Sequence, residues 1–124
     1  MIYTKIIVSG ILMLLVDAIY LKTISPHFNK MFIKIQGSGI SMNWLGFTLS
    51  YISLIAGLYY FILRQNKSPY EAFILGVFVY SVYDMVNFAT FKKWDFKLAL
   101  IDSIWGGILF SLITYLTYNI SKHI

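Results

Sequence analysis

The chain contains no cysteine, two histidines, two prolines and little charge, with 12% of its 124 residues being Asp, Glu, Lys or Arg. Lack of cysteine rules out disulfides, thiolate metal sites and thiol nucleophiles, and leaves the redox compartment undetermined. The two histidines, His27 and His123, stand alone in the sequence, so no metal site is read from either. Soluble domains carry about 25% charged and about 45–50% apolar residues, whereas apolar residues here reach 59%. A soluble core of this size cannot bury that much apolar surface, so lipid must be the solvent. A formal charge of +5 could point to nucleic acid. The lysines, however, sit at the ends of apolar runs and form no stripe, which fits solvated helix ends and anionic headgroups better. Neither a nucleic-acid partner nor a cofactor is therefore read from the sequence.

What is present is a set of four long apolar runs, about Ile2–Leu21, Trp44–Leu63, Pro69–Phe91 and Phe96–Ser121. Each is long enough for a hydrocarbon core of about 30 Å at about 1.5 Å per residue. The first run lacks a small-residue cleavage site and reads as a retained membrane helix. Ser68-Pro69-Tyr70-Glu71 reads as a capping box with proline at the first helical position, and Asp95 can cap the last helix. The two later connections are short, making helices 2, 3 and 4 antiparallel neighbours. The first is long, and Phe28, Met31, Phe32 and Ile35 within it recur at helical spacing after Ser25-Pro26. The expectation is an all-α integral membrane bundle of four transmembrane helices, residues 1–124 as one domain, with a short interfacial amphipathic helix in the first loop. Six Lys on the side of loops 1 and 3 against four Lys/Arg on the other give a slender positive-inside bias, placing both termini outside.

Three of these runs each carry one aspartate: Asp17, Asp84 and Asp102. A charged aspartate at mid-membrane costs roughly 2.5–3.5 kcal/mol on the insertion scale, so each needs a partner, and such residues mark functional sites. Counted from the nearer helix end, all three fall roughly 6–10 Å below the same surface. Helical spacing puts Tyr80, Asp84 and Asn87 on one face, with Tyr83 beside the acid. It likewise aligns Asp102 with Trp105 and Gly106, and Asp17 with Met13 and Tyr20. If the polar faces turn inward, Asp17, Tyr80, Tyr83, Asp84, Asn87, Asp102 and Trp105 line one pocket. Neighbouring carboxylates there would share protons and titrate as a unit. The competing explanation is that the acids are polar glue between helices. Gly46, Ser50, Ser53 and Gly57 form a small-residue face on helix 2, a packing surface that could serve a homodimer, and Gly106 is a further packing position.

Tyr80-Ser-Val-Tyr83-Asp84-Met-Val-Asn87-Phe-Ala89-Thr90, followed by Lys-Lys-Trp94-Asp-Phe-Lys-Leu-Ala-Leu-Ile-Asp102-Ser-Ile-Trp105-Gly106, resembles the signature of the domain of unknown function 2177 family. These are small bacterial and viral membrane proteins with a Tyr-Asp-x-x-Asn-x-Ala-Thr motif, a tryptophan, then Asp-x-x-Trp-Gly. An aspartate in the first helix is also typical, matching Asp17. Tyr20 stands where a tryptophan is usual, and Asp95 where a proline often follows the tryptophan. The resemblance spans nearly the whole chain. It implies a four-helix integral membrane protein in which the Asp84 and Asp102 elements belong together, and it implies no activity.

Three functions compete. The leading one is binding or translocation of a small molecule, cation or proton by a multi-pass protein of a cellular, viral or host membrane. Buried aspartates on facing helices suit that task. The second is a membrane-embedded lipid-modifying enzyme using paired aspartates as acid and base. The lack of a nucleophile or cofactor motif weighs against an enzyme. The third is an assembly protein held together by the acids. The ligand itself is not readable from the sequence.

Overall fold

A computed structural model describes residues 2–123. It forms four helices: α1 (Ile2–Gln36), α2 (Trp44–Leu58, continued by a π-helical turn Tyr59–Leu63), α3 (Pro69–Thr90) and α4 (Phe96–Ser121). All four are long and apolar enough to cross a membrane. Local chemistry sets the helix starts. Asn43 accepts from the Gly46 amide at the start of α2. Ser68 accepts from Glu71 with Pro69 in the first turn of α3. Asp95 accepts from the amides of Lys97 and Leu98 at 2.8 and 3.2 Å. Each cap satisfies amides that the helix itself leaves unpaired.

The first connection departs from expectation. The amphipathic segment is helical, but it is the continuation of α1, which runs 35 residues without a break through Pro26. At about 1.5 Å per residue this is roughly 52 Å, well beyond the hydrocarbon thickness, so the last few turns stand at the interface. Proline inside a helix costs about 3 kcal/mol, and packing offsets it. Phe28 and Phe32 meet the buried Trp94 ring at 6.3 and 5.5 Å, and Met31 is buried with Trp94 and Ala99. The inward stripe of α1 is continuous from Met13 through Asp17, Tyr20, Ile24, Phe28 and Met31 to Ile35. Gln36 and Gly37 end it: the Gln36 amide donates to the carbonyls of Ser38 and Gly39, and Gly37 takes φ 78°, open to glycine without strain.

The tightest pairing is α3 against α4. A Cβ on Gly106 would lie 2.7 Å from the Gly76 carbonyl, and one on Gly107 would lie 2.6 Å from Val77. Backbones can approach this closely only where side chains are missing, the usual solution when lipid supplies no hydrophobic drive for helix association. Helix α1 packs on α4, and α2 packs on α1. The core is built from Met13, Leu58, Ile62, Leu63, Ala72, Leu109, Phe110 and Ile113. Outward faces are apolar as well: Ile7, Ile11 and Leu15 on α1, Phe78 and Val82 on α3, and Ile104 and Ile108 on α4 are exposed. Continuous apolar stripes of this extent suit lipid and not water.

At the far end, the π-helical turn shifts carbonyls out of register. Lys5 donates to the Leu63 carbonyl at 3.1 Å and to Asn66 Oδ1 at 2.7 Å. Tyr118 donates to the Lys67 carbonyl at 2.6 Å. Lys5 therefore serves the C-terminus of α2, where a cation is favoured, instead of reaching for headgroups. The small-residue face of α2 is largely open among the described residues. Gly46, Ser50 and Ser53 are exposed, and no heavy atom of another helix lies within 4 Å of a Cβ placed on Gly57. Its use as a packing surface would require a second molecule. Gly106, in contrast, is buried at the α3–α4 crossing.

Candidate functional site

The site begins with helix phase. Asp17 on α1, Asp84 on α3 and Asp102 on α4 sit where their helices face the bundle axis, with exposures of 5%, 0% and 9%. The intramembrane acids are thus as buried as the apolar core, while many apolar side chains of the protein face outward.

Their surroundings differ. Asp17 is fully engaged: Trp105 Nε1 on α4 donates to Oδ1 at 2.9 Å, and the Tyr51 hydroxyl on α2 donates to Oδ2. One carboxylate therefore ties three helices. Asp102 accepts from the Tyr20 hydroxyl at 2.8 Å, and the Tyr20 ring stacks on Trp105 with centroids 4.4 Å apart and planes within 5°. Stacking of this kind adds about 0.5–1.5 kcal/mol beyond area burial and fixes the orientation of both donors. Asp84 is the poorly served acid. Ser103 lies 3.4 Å from its Oδ2, but the same hydroxyl is 2.8 Å from the Ala99 carbonyl. A serine has one proton to donate, and the shorter, intrahelical bond takes it. Asp84 Oδ1 is buried and has no donor among the described residues. What Asp84 does have is the Asp102 carboxyl within hydrogen-bonding reach.

The remaining sequence-derived candidates lie at the margin. Tyr80 is half-buried, its ring laid over Gly106 and edge-on to Phe110 at 6.4 Å. Tyr83 is 57% exposed and turned toward Trp94. Asn87 lies one turn from Asp84 on the same helix, but among the described residues its side chain makes no hydrogen bond to Asp84. Trp105 is central. Tyr20, Tyr51 and Ser103 complete the cluster and were not among the sequence candidates. Tyr51 had a readable signal: a hydroxyl seven residues into a charge-free span, at the depth of the acids. Ser103 has the carboxylate neighbour a serine nucleophile would need, but its proton is committed to Ala99, so it is not primed for attack. No group of three or more His, Asp or Glu side chains among the described residues is arranged to hold a metal ion.

Asp84, Asp102, Ser103 and Trp105 of the cluster fall within the two linked motifs, while Asp17 and Tyr20 on α1 and Tyr51 on α2 lie outside them. The chain belongs to the DUF2177 family. The family model, described as "Predicted membrane protein (DUF2177)", matches residues 2–119. All three acids, their donors and the α3–α4 crossing fall within that match. No curated protein and no solved structure matches the chain. This DUF2177 protein is therefore a multi-pass membrane protein with four spans, and its activity must be argued from the cluster itself.

Proposed function

We propose that this protein binds a proton or a small monovalent cation at the Asp84–Asp102 pair, with Asp17 as the structural anchor beside it. The observation that carries the reading is the buried Asp84 carboxyl, whose Oδ1 has no donor among the described residues. An ionised carboxylate buried without partners costs several kcal/mol. A positive charge supplied from outside the side-chain set removes that cost. The near-complete burial of all three acids favours an occupant the size of a proton or bare ion over a larger molecule. The lack of a metal-type acid cluster among the described residues argues against a divalent ion. Asp84, Asp102 and the Tyr20 hydroxyl also form a continuous polar string running toward the loop-1 end of α1. A tyrosine hydroxyl both donates and accepts, so the string is suited to passing a proton between the pair and that surface.

Infrared difference spectroscopy on the reconstituted protein, across a pH step and on adding Na+ or K+, tests this. The expected result is a carboxyl band that responds to pH or cation, vanishes in Asp84→Asn and persists in Asp17→Asn. Spectra of wild type and Asp84→Asn that coincide would overturn the reading.

A second reading has its own support. Both Asp17 oxygens are taken by donors from two other helices, as in an assembly protein whose acids are interhelical glue. On that reading Asp84→Asn alters thermal stability alone and leaves the infrared response to pH intact.

A further inference from the structure

The interfacial extension of α1 and the turn between α3 and α4 enclose a groove of about 420 Å³, on the side of the molecule nearest the acid cluster. Its rim is basic. Lys30 and Lys34 come from α1, Lys93 from the α3–α4 turn and Lys97 from the first turn of α4, with His27 beside them. Asp95 also lines the groove, but its Oδ1 is occupied by the amides of Lys97 and Leu98. Four lysines against one aspartate leave an excess of three positive charges around one concavity. The floor is apolar: Ile24, Met31, Leu98 and Ile101. It continues onto the exposed side chains of Leu100, Ile101 and Ile104 on the lipid-facing side of α4.

A basic rim beside apolar side chains, at the end of the bundle where α1 outruns the hydrocarbon thickness, fits one kind of occupant. We propose that this groove binds the phosphate of an anionic lipid headgroup, with the start of the acyl chains lying on Ile24, Leu98 and Ile101. A free phosphate ion shares the anionic chemistry but would leave the apolar floor wet. Flexible lysines, and not a rigid arginine fork, suit a point-charge grip on phosphate. The continuity of α1 through Pro26 is what creates the site, because a helix ending at Leu21 would not bring Lys30 and Lys34 opposite Lys93 and Lys97. The proposal is independent of cation binding at Asp84.

Native mass spectrometry of the detergent-solubilised protein tests it, with dihexanoyl phosphatidylglycerol, dihexanoyl phosphatidylcholine and inorganic phosphate as separate probes. The phosphatidylglycerol should bind as a one-to-one adduct, and Lys30→Gln and Lys97→Gln should each weaken it about fivefold, the worth of one lysine near an anionic surface. These side chains are exposed, so the variants keep the fold. Lys22→Gln, with the same change of charge on the same side but outside the groove, should leave binding unchanged. Equal weakening by Lys22→Gln would mean a diffuse surface potential and would overturn the site. Equal binding of phosphatidylcholine would remove the anionic specificity. Displacement of the lipid by inorganic phosphate at comparable concentration would reassign the groove to the free ion.

Discussion

Asp17 offers the sharpest test of how the cluster holds the bundle, because, of two replacements of similar size, only one should destabilise it. In the wild type its two oxygens accept from Trp105 Nε1 and from the Tyr51 hydroxyl. Asparagine keeps one oxygen and exchanges the other for an NH2. The indole N–H only donates, so it must keep the oxygen. The tyrosine hydroxyl can rotate and accept from the NH2 instead. Both links survive, and the loss is limited to charge assistance, about 1 kcal/mol or less. Leucine has no acceptor and leaves the indole N–H and the hydroxyl unpaired among three helices. An unsatisfied buried donor costs about 1–3 kcal/mol, while hydrogen bonds between membrane helices average about 0.6 and reach about 1.7 kcal/mol. Two such losses come to roughly 1–4 kcal/mol, against a total of about 5–15 for a typical domain. The assay is thermal unfolding in mild detergent, followed by the loss of monodisperse protein on size exclusion. Asp17→Asn should stay within a few degrees of wild type, and Asp17→Leu should fall well below it. If the two variants melt together, or if Asp17→Leu is as stable as wild type, Asp17 is not the three-helix link described here.

Two further outcomes follow from packing and one from capping. Gly106→Ala places a Cβ 2.7 Å from the Gly76 carbonyl, an overlap with backbone that should cost about 1–3 kcal/mol in the same melt. Gly57→Ala meets open space and should stabilise by up to about 1 kcal/mol through helix propensity. A destabilised Gly57→Ala would instead reveal that the small-residue face of α2 is already packed against a second copy. Lys5→Met removes two hydrogen bonds at the end of α2 and should cost about 1 kcal/mol. The loss should be read as faster hydrogen exchange confined to residues 59–67, and a uniform change across all helices would refute the capping role.

The common depth of the acids is legible in the order of residues, since three helices counted from their loop ends give one level. Which donor reaches which acid is not. Tyr51 lies in a span without charge, and its bond to Asp17 depends on how α2 rotates against α1. Asn87 shares a helical face with Asp84 yet gives it no hydrogen bond, because faces are about a hundred degrees wide and a shared face does not bring two side chains into contact. The continuation of α1 is obscured by Lys22 and Pro26, both ordinary stop signals. The unbroken inward stripe from Met13 to Ile35 is the contrary signal, and it prevails because Trp94 gives Phe28, Met31 and Phe32 something to pack on.

Lipid as solvent, the number of spans, the starts of α3 and α4 and the family can all be read along the chain. The first three rest on composition, run length and local caps, which act over a few residues and need no tertiary partner, and the family rests on two linked motifs. That Asp17 is saturated, that Asp102 is held by Tyr20 and that Asp84 is left short of a donor among the described residues emerges from the packed bundle alone. Hydrogen-bond satisfaction is a property of distances between helices, and a one-dimensional pattern fixes depth along each axis but not the rotation that brings one helix's donor to another's acid.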